Sequence, residues 1–120
     1  MRATPATAAT RHLIDAAAFD ALKPGAHLVN VARGALVDQD ALLAALDSGR
    51  VATASLDVVD PEPLPEGHPL YAHPGVRLSP HISWSAPDTM DRTVALFAEN
   101  LRRYRAGRPL QGVVDPIAGY

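Results

Sequence analysis

The 120-residue sequence contains no cysteine, and its aromatic residues are few: one tryptophan, two phenylalanines and three tyrosines. Without cysteine the chain can form no disulfide, no thiolate zinc site and no cysteine nucleophile, and we expect a cytoplasmic protein. The sequence also lacks an apolar run near the roughly 20 residues that cross a bilayer, and it lacks the pattern of a signal peptide. We therefore expect no membrane partner.

An excess of charge of one sign is absent as well. Lysine and arginine together number 11 against 13 aspartates and glutamates, which leaves a net charge of −2. This balance argues against a nucleic-acid partner. Hydrophobic residues make up 48% of the chain, which is enough for the core of one modest domain.

What the sequence does contain is an alternation of helix-type and strand-type segments. The predicted order is helix 16–22, strand 27–31, helix 39–48, strand 51–58, strand 75–79 and a long helix that ends at Gly107. Asp15, Asp38 and Ser85 are the predicted N-cap residues. Because the strands are apolar rather than alternating, the pattern predicts an α/β fold with a parallel sheet.

Three short motifs each present a chemically active residue after an apolar run. Arg33 lies in NVARG (30–34), Glu62 in LDVVDPEP (56–63) and His81 in SPHISW (79–84). Ligands of parallel sheets bind beyond the carboxyl ends of the strands, so we expect Arg33, Asp57 and His81 at one edge. A cation, a carboxylate and an imidazole together suit an acid/base reaction on a small carboxylate substrate.

Each of these residues also has an ordinary interpretation when it is taken alone. His81 is then a surface-loop histidine, Arg33 a turn cation and Glu62 a solvated charge, and only the ordered combination predicts a site. His68 and His73 lie near Glu62, but their spacing matches no standard zinc pattern, so we predict no metal.

Taken in order, the motifs resemble those of the D-isomer-specific 2-hydroxyacid dehydrogenase family. The segment PGAHLVNVARGALVD (24–38) is similar to the family's arginine signature, LDVVDPEP with HPL (68–70) to its glutamate segment, and SPHI (79–82) to its histidine segment. The resemblance covers about residues 4–110. It implies a partial Rossmann-like, doubly wound parallel sheet of about three strands with flanking helices. The first mononucleotide-binding half is not expected, because no Gly-x-Gly-x-x-Gly turn occurs.

The resemblance implies reversible hydride transfer between the nicotinamide of NAD or NADP and C2 of a small 2-hydroxy or 2-keto acid. It assigns His81 as the general acid/base, Glu62 as the carboxylate that orients its ring, and Arg33 as the clamp on the substrate. Trp84 is expected to border the substrate. The residues expected to contact the cofactor are Thr4, Val31, Ala32, Arg33, Asp57 and His81.

The resemblance also divides the chain into the C-terminal half of an NAD-binding domain (1–107) and a tail (108–120), and it implies a homodimer. The long helix carries one apolar face, which predicts core or interface and invites self-association; its residues are Met90, Val94, Phe97, Leu101 and Tyr104. We expect the 120-residue chain alone to be inactive. Two alternatives remain open: a non-catalytic remnant, and a corepressor-like interaction module built on the same fold.

Overall fold

The computed structural model describes residues 4–117. Three β-strands in this range form one parallel sheet. The strands are β1 (Ala26–Asn30), β2 (Val51–Leu56) and β3 (Val76–Leu78), in the order β1-β2-β3. The helices are α1 (Ala16–Asp20), α2 (Gln39–Asp47) and α3 (Thr89–Arg105), with 3₁₀ turns at Gly34–Leu36 and Pro69–Tyr71. The predicted order of helices and strands is confirmed. Residues 1–3 of the predicted half-domain (1–107) and residues 118–120 of the predicted tail (108–120) lie outside the described residues.

The carboxyl ends of the three strands lie in register at one edge of the sheet. Asn30 at the end of β1 pairs with Leu56 at the end of β2, and Leu56 pairs with Leu78 at the end of β3. The segments that follow these residues hold Arg33, Asp57 and His81, respectively. The parallel pairing therefore delivers all three segments to the same edge, as the sequence predicts.

Two short side chains begin the first two helices as predicted. The Asp15 carboxylate accepts a hydrogen bond from the Ala18 amide at 2.9 Å. The Asp38 carboxylate accepts from the amides of Asp40 and Ala41 at 3.1 and 3.0 Å. These contacts satisfy amides of the first turn that have no partner within the helix.

The predicted cap of the long helix is wrong. α3 begins at Thr89, with Asp88 rather than Ser85 at the N-cap position. The turn before it is closed by the Thr89 hydroxyl, which accepts from the Ala86 amide at 2.9 Å and donates to the Trp84 carbonyl at 3.2 Å. Thr89 thus closes the turn before the helix, and Asp88 at the N-cap position makes no side-chain capping hydrogen bond.

The hydrophobic core lies between the sheet and the first two helices. α2 packs on β2 and on α1. The largest fully buried side chains are Phe19, Leu42, Val51 and Leu70. Each contributes about 1.5–3 kcal/mol by its removal from water, so this cluster fixes the helices against the strand that lies at the centre of the sheet.

Packing divides the chain into two compact units, one up to Ile82 and one from Ser83 onward. In the second unit, α3 has no buried residue, and Met90 and Phe97 are 69% and 70% exposed. Hydrogen bonds from Arg102 and Arg103 hold the pKa of Glu99 below its ordinary value.

Among the described residues, no helix combines the length and the apolar character that a bilayer crossing requires.

A close backbone contact joins the first two motifs. Gly34, directly after Arg33, lies so near Val59 that a Cβ atom added to Gly34 would overlap the Val59 carbonyl group. Val59 lies between Asp57 and Glu62 in the sequence. The absence of a side chain at Gly34 is therefore what allows the turn of Arg33 and the loop of Glu62 to touch.

We expect Gly34→Ala to lower the free energy of unfolding by about 3 kcal/mol or more, because the backbone of Val59 must move to admit a methyl group. Urea denaturation of the 120-residue chain, followed by circular dichroism, measures this change. Gly67→Ala is the matched control: Gly67 has a φ of +76° but open space around it, so only the conformational cost of about 1–2 kcal/mol applies. Equal losses in the two variants would contradict the packing argument.

Candidate active site

An imidazole and a carboxylate form a direct pair at the edge where the strands end. Nδ1 of His81 lies 3.0 Å from Oε1 of Glu62, and the two side chains are 38% and 40% exposed. His81 has a φ of +53°, in the left-handed region. The pair predicted from the sequence is thus formed, and it remains accessible to a small molecule.

The turn that carries Arg33 is organised by a buried asparagine. Asn30 is 7% exposed, its Nδ2 donates to the Arg33 carbonyl at 2.9 Å, and its Oδ1 accepts from the Ala32 amide at 3.1 Å. The Arg33 guanidinium is exposed and donates to the Ala32 carbonyl at 2.7 Å. Within residues 4–117 it forms no hydrogen bond or ion pair with Glu62 or His81.

Asp57 is the other buried polar side chain at this edge, with 5% exposure. Its Oδ1 accepts from the Ser79 hydroxyl at 2.5 Å and from the Ile82 amide at 3.0 Å. Its own amide donates to the Asn30 carbonyl at 2.9 Å. Asp57 therefore connects the end of β1 with the loop that contains His81.

A cavity of about 270 Å³ lies along β1 and contains three of the predicted cofactor-contacting residues. Val31 is half exposed there. The lining is mostly apolar, as an aromatic ring face requires; it consists of Thr4, Leu13, Ile14, Leu28, Val29, Asn30, Val31, Ala32, Leu36 and Val37. Thr4, Val31 and Ala32 are thus brought together although 27 positions separate Thr4 from Val31.

A second apolar cavity, of about 420 Å³, borders Glu62. Its other lining residues are Val59, Pro63, Leu64, Tyr71, Leu78, Ser79 and Pro80. The Tyr71 hydroxyl donates to the Leu64 carbonyl at 3.1 Å, which ties the proline-rich loop to the 3₁₀ turn that follows it. The loop of Glu62 is consequently an ordered part of the site.

The sequence analysis missed the residues that brace this loop. Gln39 at the start of α2 exchanges two hydrogen bonds with the backbone of Asp60, at 2.5 and 3.2 Å. The Asp60 carboxylate forms an ion pair with Arg11 at 3.0 Å. Nothing in the local pattern marks Gln39, whereas Asn30, a polar residue closing an apolar strand, is a signal that could have been used.

The remaining predicted residues take simpler places. Nδ1 of His68 and Nδ1 of His73 accept hydrogen bonds from the amides of Leu70 and Gly75, so each histidine closes its own turn. No group of three or more histidine, aspartate or glutamate side chains suited to a metal occurs in the part of the chain that the structure describes. Trp84 is 65% exposed in the second unit, and its role stays a prediction.

Comparison with known proteins gives a consistent result. The family model for the NAD binding domain of D-isomer specific 2-hydroxyacid dehydrogenases matches residues 1–83. Glyoxylate/hydroxypyruvate reductase A of Photorhabdus laumondii is 42% identical over 116 residues, which are 97% of this chain and 36% of the reductase.

Solved structures agree with this match. A D-isomer specific 2-hydroxyacid dehydrogenase of Xanthobacter autotrophicus, crystallised with NADPH and MES, has a TM-score of 0.87 at 44% identity, over 98% of this chain and 48% of the other. Apo D-mandelate dehydrogenase of Rhodotorula graminis has a TM-score of 0.82 at 40% identity, over 93% of this chain and 33% of the enzyme. This chain thus spans less than half the length of each relative.

These similarities confirm the Rossmann-like fold and the resemblance that the three motifs carry. The match covers most of the chain, and the sequence identity to several members is 40% or more. The chain therefore belongs to the D-isomer specific 2-hydroxyacid dehydrogenase family, as part of its NAD-binding domain.

Proposed function

We propose that this chain carries the acid/base half of an NAD(P)-dependent dehydrogenase site that interconverts a small 2-keto acid and the corresponding 2-hydroxy acid. The observation that carries the proposal is the accessible pair of His81 and Glu62, with Nδ1 and Oε1 3.0 Å apart. Because the chain spans less than half of its relatives, the substrate and cofactor of a whole enzyme are part of this proposal.

His81 is the group that exchanges the proton. Reduction of the keto group requires a hydride at C2 and a proton on the oxygen that becomes the hydroxyl, and the nicotinamide, when bound, supplies the hydride. Histidine suits the proton transfer because it titrates near neutral pH. Glu62 occupies Nδ1, which leaves Nε2 to give the proton in reduction and to take it back in oxidation.

Arg33 is the group that holds the substrate carboxylate. The terminal nitrogen Nη1 donates to the Ala32 carbonyl at 2.7 Å, which restrains the guanidinium, and its other N–H groups can bind a ligand. A planar guanidinium can bind a carboxylate through two parallel hydrogen bonds, which a lysine cannot do. We include Trp84 as a substrate-facing aromatic residue on the strength of the family resemblance.

The chain fits the nicotinamide end of the cofactor but not its pyrophosphate. Thr4, Val31 and Ala32 line an apolar groove of about 270 Å³, which suits a flat ring. The Asp57 amide donates to the carbonyl of Asn30, which lines that groove, and the family resemblance supports a place for Asp57 near the carboxamide group. The sequence has no Gly-x-Gly-x-x-Gly turn to receive a pyrophosphate.

The same proposal covers the wider setting of the chain. Residues 1–107 form the C-terminal half of an NAD-binding domain and residues 108–120 a tail. The names of the relatives contain glyoxylate and hydroxypyruvate, which are 2-oxo acids, and mandelate, which is a 2-hydroxy acid, so these three compounds are the substrates to test first. A homodimer and a cytoplasmic location are included on the strength of the resemblance and the composition.

The 120-residue chain alone is expected to bind NADH weakly, because the nicotinamide groove has no phosphate cradle beside it. Isothermal titration calorimetry with the purified chain measures this affinity. Binding in the low-micromolar range would contradict the assignment of a half-site.

The role of His81 is tested in a hybrid enzyme, in which this chain replaces the matching segment of the Photorhabdus reductase. We expect the hybrid to oxidise NADPH with hydroxypyruvate, and His81→Ala to lower kcat by about a hundredfold to ten-thousandfold through loss of the proton donor. His27→Gln is the control, because His27 lies on β1 and contacts Ser55. A folded hybrid without activity, or a His81→Ala variant with near-normal kcat, would refute the proposal.

The role of Arg33 is tested in the same hybrid by Arg33→Lys. The charge is retained while the two-pronged geometry is lost, so we expect the KM for hydroxypyruvate to rise about tenfold or more, with a much smaller change in the KM for NADPH. Arg77→Ala removes an exposed arginine from β3 and serves as the control. An unchanged KM for the keto acid in Arg33→Lys would show that the guanidinium does not hold the carboxylate.

A further inference from the structure

The backbone of His81 adopts a conformation that few residues accept. Its φ is +53°, where the Cβ atom crowds the backbone and a residue other than glycine is disfavoured. Such a residue keeps its conformation only where the surrounding structure holds it. Contacts from its surroundings must therefore hold His81 in this conformation.

The two neighbours of the Pro80–His81 pair are bound to one carboxylate oxygen. Oδ1 of Asp57 accepts from the Ser79 hydroxyl before the pair and from the Ile82 amide after it, at 2.5 and 3.0 Å. Ser79 is in turn fixed to the sheet, because its amide donates to the Leu56 carbonyl at 3.0 Å. The loop is thus closed at both ends around His81.

Burial strengthens this contact. Asp57 is 5% exposed, and hydrogen bonds to a carboxylate in such surroundings are stronger than those between neutral groups in water. Loss of either donor would leave carboxylate lone pairs buried with fewer partners, which is costly. The closed loop is therefore favoured over open loops in which His81 relaxes to negative φ.

We propose that Asp57 is a positioning residue: by bonding Ser79 and Ile82, its carboxylate holds His81 in the left-handed conformation in which Nδ1 meets Glu62. The meaning of this contact for catalysis rests on the proposed function, but the contact itself does not. The hydrogen bonds of Asp57 to Ser79 and Ile82 are formed without any bound ligand.

The proposal is tested by NMR on the 120-residue chain without ligand. Positive φ at His81 gives a strong NOE between its own amide and α protons, and exchange of the Ile82 amide with solvent reports its bond to Asp57. We expect Asp57→Ala to abolish the strong NOE and to speed the Ile82 exchange roughly tenfold or more. We expect Asp57→Asn to preserve both signals, because one amide oxygen can accept both bonds.

Two further variants keep the test decisive. Asp60→Ala removes a carboxylate that lies three residues after Asp57 and forms an ion pair with Arg11. Both NMR signals should survive in this variant. If Asp57→Ala fails to fold, Ser79→Ala decides: it removes one donor and should weaken the His81 signal, whereas Ser79→Thr should restore it. A His81 NOE and an Ile82 exchange rate that are unchanged in Asp57→Ala, or in Ser79→Ala, would overturn the proposal. Neither readout depends on turnover, so failure of the dehydrogenase assay would leave this result separate.

Discussion

The site depends on the register of three parallel strands. Because Asn30, Leu56 and Leu78 are paired neighbours at the strand ends, the segments beyond them leave the sheet side by side. A shift of one strand by a single residue would reverse the sides on which its side chains lie and would carry its motif away from the other two. The loops then have only to orient the site residues locally, and buried polar side chains fix their backbones. Asn30 holds the turn of Arg33, and Asp57 holds the loop of His81.

Much of this arrangement could be predicted from the sequence because it rests on local rules. The order of helices and strands, the caps Asp15 and Asp38, and the meeting of the motifs at one edge follow from apolar runs and from the geometry of parallel sheets. The Ser85 prediction failed because α3 begins only at Thr89, so Ser85 lies before the N-cap position, which Asp88 occupies without a side-chain hydrogen bond. The Thr89 hydroxyl closes the preceding turn by accepting from the Ala86 amide, a contact that the capping pattern does not describe.

Other parts of the site could not be predicted because they are contacts between distant segments. Gln39 braces Asp60 across 21 positions, and Gly34 meets the backbone of Val59. No periodicity or capping rule carries such information, since it depends on the distance between two loops after the core has formed. Asp57 illustrates the same point: its type and position suggested a ligand contact, whereas its hydrogen bonds with Ser79 and Ile82 emerge only in three dimensions.

The left-handed backbone at His81 also limits which amino acid can occupy that position. Histidine, asparagine and aspartate are the residues other than glycine that enter this region most readily, and lysine or glutamate enters it at greater cost. Among those tolerated, histidine alone exchanges protons between pH 5 and 8 without a strong perturbation. The backbone conformation and the need for proton exchange near neutral pH thus both favour histidine at this position. A redesign that moved a different acid or base into this loop would have to rebuild the backbone as well as the chemistry.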